Sequence, residues 1–290
     1  MKNDPIEAKL RALSSVDPTT ADGRQQLAKA LTDRSNIVVK KAARIAGEMK
    51  CDALLPDLRI AFDRFMAKPA ETDKACAALT ALSAALIELD YDEPEPFLAG
   101  IRHIQREPVF GGHVDVAGDL RANCAIGLVN TRHARTLDAL ATLLADKEWR
   151  ARVGAVRALT VNGSESAAAL LRFKALVGDQ EREVLLECFS ALLQFDEANV
   201  PFIAARMQSA ELDTVEAAIL ALGGCRNEAA FEALRMKLKQ PRLGPLRRTV
   251  LLAIASMRLD AAVAFVKNLA AEEDEEAAKV LRELNLSPEA

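Results

Sequence analysis

One pattern recurs along the chain with a period of about 32 residues, and it restricts the possible folds more than any other feature. An often basic residue is followed by small residues three and six positions later. The copies read VKKAARIAG (39–47), DKACAALTA (73–81), LRANCAIGL (120–128), ARVGAVRAL (151–159), VLLECFSAL (184–192), TVEAAILAL (214–222), LRRTVLLAI (246–254) and EAAKVLREL (276–284). The central slot holds Ala43, Ala77, Cys124, Ala155, Cys188, Ala218, Val250 and Val280. These fall one period apart, except for a wide step between Ala77 and Cys124. A fainter copy at 6–13 places Leu10 in the same slot, one period ahead of Ala43.

Small residues three apart share one face of a helix and let a neighbouring backbone come close. Most copies follow another amphipathic stretch, such as ALLPDLRIAFDRFM (53–66), SAAALLRFKALVG (166–178) or AAVAFVKNLA (261–270), and the connections are short and polar. A single pair of helices of ~30 residues cannot bury its own apolar face, whereas a stack of pairs can. No segment alternates with period two, so strands are not expected. The expected fold is all-α: one right-handed α-α superhelix over residues 1–290, built of about eight to nine helix pairs. Composition agrees, since 54 of 290 residues are Ala and only 4% are aromatic, as suits closely packed helices.

These repeats resemble HEAT repeats, specifically the short bacterial kind grouped with the phycobilisome-lyase HEAT-like repeats, and the resemblance spans residues 5–286. It implies an Asp ahead of each inner helix, six residues before an Arg within it. Asp115–Arg121 and Asp146–Arg152 carry that spacing. Pro201 stands where the resemblance places an outer-helix proline, but Leu185 and Val215 occupy the Arg slot in two repeats, so the ladder is interrupted. The resemblance implies a fold and supplies no site.

The wide step between Ala77 and Cys124 marks an insertion. If 95–105 is an outer helix and 119–130 the inner one, residues 107–118 form a loop between them. Gly111 and Gly112 provide the conformational freedom of a sharp turn there. An elaborated loop on a regular array is where such proteins gain specificity.

Chemical signatures are sparse. No GxSxG, Walker loop, Rossmann GxGxxG or HExxH occurs, so the chain is expected not to be an enzyme and to need no cofactor. The histidines are His103, His113 and His133, with His113 and Asp115 in the inserted loop. No His-Glu dipeptide of the kind that holds iron in the HEAT-like deoxyhypusine hydroxylases is present, and no metal is expected. Five Cys without a CxxC pair suggest free thiols in a reducing, cytoplasmic setting. The N-terminus carries no apolar signal region, and no window reaches the ~18 apolar residues of a membrane span. A net charge of −4 disfavours a dedicated nucleic-acid binder, which draws its affinity from basic excess.

What remains is a scaffold that binds a protein or peptide along its concave face, with a bilin-lyase-like enzyme as the alternative and a nucleic-acid-binding HEAT-like protein as a less favoured one. Basic residues cluster on inner helices at Lys40, Lys41 and Arg44, at Arg150, Arg152 and Arg157, and near Arg242, Arg247 and Arg248. Trp and Arg are favoured interface anchors. The expected contact positions are Arg121, Arg152 and Trp149, joined by Arg157, Lys40, Arg44 and His113, with the loop Val109–Val116 gating one edge.

Overall fold

A computed structural model describes residues 5–241 and 243–286. Arg242, counted in a basic cluster above, lies outside the described residues. The chain divides into two compact units, Met1–Asn162 and Gly163–Ala290.

The first unit contains helices α1 (Pro5–Ser14), α2 (Ala21–Leu31), α3 (Asn36–Glu48), α4 (Leu55–Ala67), the single turn α5 (Pro69–Thr72), α6 (Ala77–Glu88), α7 (Glu95–Gly100), α8 (Gly118–Asn130), α9 (Thr136–Leu143) and α10 (Trp149–Asn162). Helices α2 and α3, α4 and α6, α7 and α8, and α9 and α10 pack as pairs. The second member of each pair stacks on the next, in the order α3, α6, α8, α10, and α1 packs against α3. The second unit repeats the plan with α11 (Glu165–Val177) and α12 (Arg182–Phe195), α13 (Val200–Arg206) and α14 (Leu212–Gly223), α15 (Glu228–Leu238) and α16 (Leu246–Ser256), and α17 (Asp260–Ala271) and α18 (Glu275–Glu283). Its stacked members are α12, α14, α16 and α18. Each unit is therefore a HEAT-like stack of helix pairs.

The slot residues explain the stacking. Ala43, Cys124, Ala155, Cys188, Ala218, Val250 and Val280 are all completely buried. Ala77 is the exception: it starts α6 and is half-exposed. The buried counterpart in that helix is Ser83, six positions later. Ser83 falls nearly midway between Ala43 and Cys124, so the excess length is shared between two places. One is the α5 turn and the 3-10 turn Lys74–Cys76 ahead of α6. The other is the insertion ahead of α8. The sequence register placed all of it in one gap because DKACAALTA mimics the repeat one helical turn and a half too early.

The insertion also corrects the expectation that strands are absent and that 107–118 is a plain loop. It forms an antiparallel hairpin, β1 (Arg106–Val109) with β2 (Gly112–Asp115), in which Val109 faces Gly112 and Pro108 faces His113. Too few residues are involved for a period-two signal to stand out. The β-branched Val109 and Val114 suit strands, and Gly111 turns the chain at φ +87°, a backbone region that glycine enters without steric cost. The outer helix of this repeat correspondingly stops at Gly100, short of the expected residue 105.

Two helical glycines serve close packing. A Cβ at Gly154 would lie 2.3 Å from the Ala122 Cα, so α8 and α10 touch backbone to backbone. A Cβ at Gly223 would lie 2.8 Å from the Ala253 Cα. Gly224 is the C-cap of α14, right-handed at φ −79° with its N–H donating to the Leu220 and Ala221 carbonyls, and proximity of α16 is what requires Gly223.

Candidate functional site

The exposed side of the stacked helices α3, α6 and α8 forms a groove of about 520 Å³. Its floor is made of small residues, among them Ala43, Gly47, Ala81 and Ala84. Short side chains follow from the stacking rule, so the floor is shallow and lies close to the backbone. Lys40 and Arg44, both expected contact positions, are exposed on its α3 wall. Arg44 pairs with Glu48 one turn on, at 3.3 Å, and Lys50 pairs with Glu88 at 3.0 Å. Asp119, on the α8 wall, lies 3.8 Å from the Arg150 guanidinium. Lys40 pairs with no carboxylate among the described residues. The lining thus carries two cations and three acids, and each acid has a cation within 4 Å.

The hairpin stands at one edge of this groove. Val116, which follows β2, lines it, and so does Ala75, whose N–H donates to Glu107 Oε1 of β1 at 2.6 Å. Buried Gln105 completes the anchor. Its Nε2 donates to the Asp73 carbonyl and to Glu107 Oε1, both at 2.8 Å, and its Oε1 lies 3.2 Å from His103 Nε2. Asp73 is fully buried, with its carboxylate accepting from the N–H groups of Ala78 and Leu79 at 2.8 Å each and from Asn36 Nδ2 at 3.1 Å. Negative charge at these orphan donors of a helix N-terminus is favourable. Between Asp73 and α6 the backbone takes two successive left-handed steps, at Ala75 (φ 60°) and Cys76 (φ 51°), each costing about 1–3 kcal/mol. The surrounding hydrogen bonds hold this turn. Nothing in the sequence announced it, although an Asp ahead of the repeat was a visible signal.

Beyond this anchor the hairpin tip is open. Phe110 is fully solvent-exposed, and Val109 and Val114 are exposed beside it. His113, an expected contact position, is also exposed on β2. Contiguous exposed apolar side chains of this kind mark interaction surfaces.

The remaining expected positions divide. Trp149 opens α10 and is half-buried, with the Arg150 guanidinium 4.5 Å above its ring. Arg157 is exposed on the same helix. Arg152 is half-buried and its Nη1 donates to the carbonyls of Asp146 and Lys147, at 2.8 and 3.1 Å, closing the turn ahead of α10.

Arg121 requires a correction. It is 1% exposed, and its guanidinium donates to Asp115 at 2.7 Å, to Asp146 at 2.9 Å and to the His103 carbonyl at 2.7 Å. A side chain so enclosed does not meet a partner. It clamps its own repeat to the next one. Arg247 makes the same reach, from α16 to Asp274 ahead of α18 and to Glu276 at 2.7 Å. Burial pushes the Asp115 carboxyl up, but the hydrogen bonds and charge of Arg121, with the N–H groups of Ala117 and Gln105, hold it below the usual carboxylate range.

The thiols are not poised for chemistry. Burial pushes those of Cys76 and Cys188 up to about 12 and raises that of Cys124 as well. Among the described residues no three His, Cys, Asp or Glu side chains converge as a metal site. No helix there is long and apolar enough to cross a membrane.

No known family profile and no curated protein matches the chain. Solved structures do. The complex of CpcE and CpcF of phycocyanin lyase from Nostoc is similar at 17% identity and a TM-score of 0.40, over 75% of this chain and 91% of that one. Human deoxyhypusine hydroxylase in complex with glycerol is similar at 18% identity and a TM-score of 0.34, over 88% of this chain and 91% of that one. These likenesses concern fold. Both names are those of enzymes, so the expectation that the chain is not an enzyme is withdrawn: helix-pair stacks of this kind are no argument against catalysis.

Proposed function

We propose that the chain recognises a protein partner through the groove of α3, α6 and α8, and that it takes an acidic segment of that partner. The observation that carries this reading is the juxtaposition of two features. A shallow Ala-floored groove bears Lys40 and Arg44 on one wall, and a hairpin fixed to its edge by Gln105 and Glu107 displays Phe110, Val109 and Val114 to solvent. Small floor residues admit a partner backbone, the Lys40 ammonium on the α3 wall is open to a partner carboxylate, and the hairpin offers an aromatic anchor. Aromatic anchors beside charged rims are how interfaces divide affinity from specificity. Trp149 and Arg150 extend the surface past Asp119. Arg157, Arg152 and His113 belong to the outlying part of the same proposed surface.

The test is site-directed photo-crosslinking in the native host, with p-benzoylphenylalanine replacing Ala81 on the groove floor and, as a control, Ile60, which is 65% exposed on α4. The expected result is one dominant adduct from position 81, mapped to an Asp- or Glu-rich segment and absent from position 60. The double substitution Lys40→Glu and Arg44→Glu should reduce its yield about tenfold. Adducts that are the same from both positions, or that survive the charge reversal, would overturn the reading.

A further inference from the structure

A second cavity lies between α7 and α9 and shares no residue with the groove. It arises because α7 has six residues where the preceding outer helix, α4, has 13. The chain leaves helix after Gly100 and runs to the hairpin, and the space that a longer helix would fill is a cleft of about 670 Å³. That volume is within the range of about 300–1,000 Å³ found for small-molecule sites.

The lining is two-sided. Leu98, Ile101 and Ile104 form one apolar wall, and Ala139 and Leu143 of α9 form the other. Ile104 is 60% exposed and lines the cleft. Around these walls are Arg102, Arg135 and His133, with Arg121 in the floor. Two carboxylates also line the cleft. Asp146 is engaged by the buried Arg121 at 2.9 Å. Asp138 meets Arg135 at 3.2 Å, but the two side chains are 71% and 81% exposed, so that contact is weak and readily exchanged. Arg102 is exposed and pairs with no carboxylate among the described residues. The cleft therefore couples an apolar interior to two guanidinium groups available at its rim. A planar guanidinium grips carboxylate, sulfonate and phosphate oxygens in a fork.

We propose that this cleft binds a small amphipathic anion, with its apolar body between Ile104 and Leu143 and its acidic head between Arg102 and Arg135. The size of the cavity and the separation of its apolar walls from its cationic rim both fit such a molecule. The site is independent of the peptide groove, so either can fail without the other.

The probe is 1-anilinonaphthalene-8-sulfonate, an aromatic body with one anionic group, titrated by fluorescence into the full chain. N-phenyl-1-naphthylamine, the same body without the anion, serves as comparison. Saturable binding at one site per chain is expected. The double substitution Arg102→Gln and Arg135→Gln should weaken the sulfonate about tenfold and leave the neutral amine unchanged. Ala139→Phe, which fills the cleft, should weaken both. Lys40→Gln, in the groove, should change neither. Circular dichroism melts within about 2 °C of the wild type verify that each variant is folded. Absence of saturable binding, or equal sulfonate affinity in the wild type and the double-arginine variant, would overturn the proposal.

Discussion

Replacing Arg121 by Leu should destabilise the protein strongly without touching any exposed surface. The wild-type guanidinium makes three hydrogen bonds, two of them to carboxylates, and is 1% exposed. Removing one member of a buried ion pair costs about 3–5 kcal/mol, because the partner charge is left without compensation. Here the abandoned partners are Asp115 and Asp146, whose side chains retain 19% and 17% exposure. Water can reach them in part, which places the loss near the lower end, about 3 kcal/mol. For the compact unit Met1–Asn162 that holds Arg121, that is a fall in Tm of roughly 6–12 °C. The effect should depend on pH. The folded-state pKa of Asp115 lies below its unfolded value of about 3.8. Its contribution is thus complete above that value and fades as pH falls through the folded pKa. The cost of Arg121→Leu should be full at pH 7 and shrink below about pH 4. Calorimetry at both pH values measures it. Arg44→Leu is the control, since that exposed pair with Glu48 is worth no more than about 0.5 kcal/mol. A variant that melts with the wild type at pH 7, or one whose deficit is the same at pH 3, would refute the clamp.

Two further outcomes test the packing. Gly154→Ala gains about 1 kcal/mol of helix propensity, but its Cβ would sit 2.3 Å from the Ala122 Cα and overpacking costs about 1–3 kcal/mol; a net loss of up to about 2 kcal/mol in urea unfolding is expected, and a stabilised variant would disprove the backbone contact. Cys76 and Cys188, with thiols pushed up to about 12 by burial, should resist dithionitrobenzoate at pH 8 in the native state, while half-exposed Cys225 is labelled first. Labelling of Cys76 at the rate of Cys225 would show that the α6 turn opens far more readily than its hydrogen bonds imply.

Much of the architecture was legible because the stacking rule is local. A residue at the centre of each inner helix must be small enough for the next helix to approach, and that requirement writes itself into the sequence once per period from Cys124 onward. Lys40 and Arg44 were legible as surface cations because they flank such a slot. Ala77 was misread for the same reason: DKACAALTA satisfies the pattern by composition, and only the fold shows Ser83 in the buried place. The hairpin escaped notice because four-residue strands carry too few alternations to register.

The one-dimensional pattern therefore determined that this chain builds paired helices, where most of them lie, and which side chains face inward. Tertiary structure alone decided how the polar groups are used. Arg121 looked like a contact residue until Asp146, 25 positions away, was found against it, and Gln105 had no assignable role until it met the Asp73 carbonyl. The cleft beside α7 exists because a helix is shorter than its neighbours. Periodicity reports how often a residue recurs on one face. It carries no information about which distant groups meet across repeats, and that pairing determines whether a charge is buried as a clamp or left at the surface for another molecule.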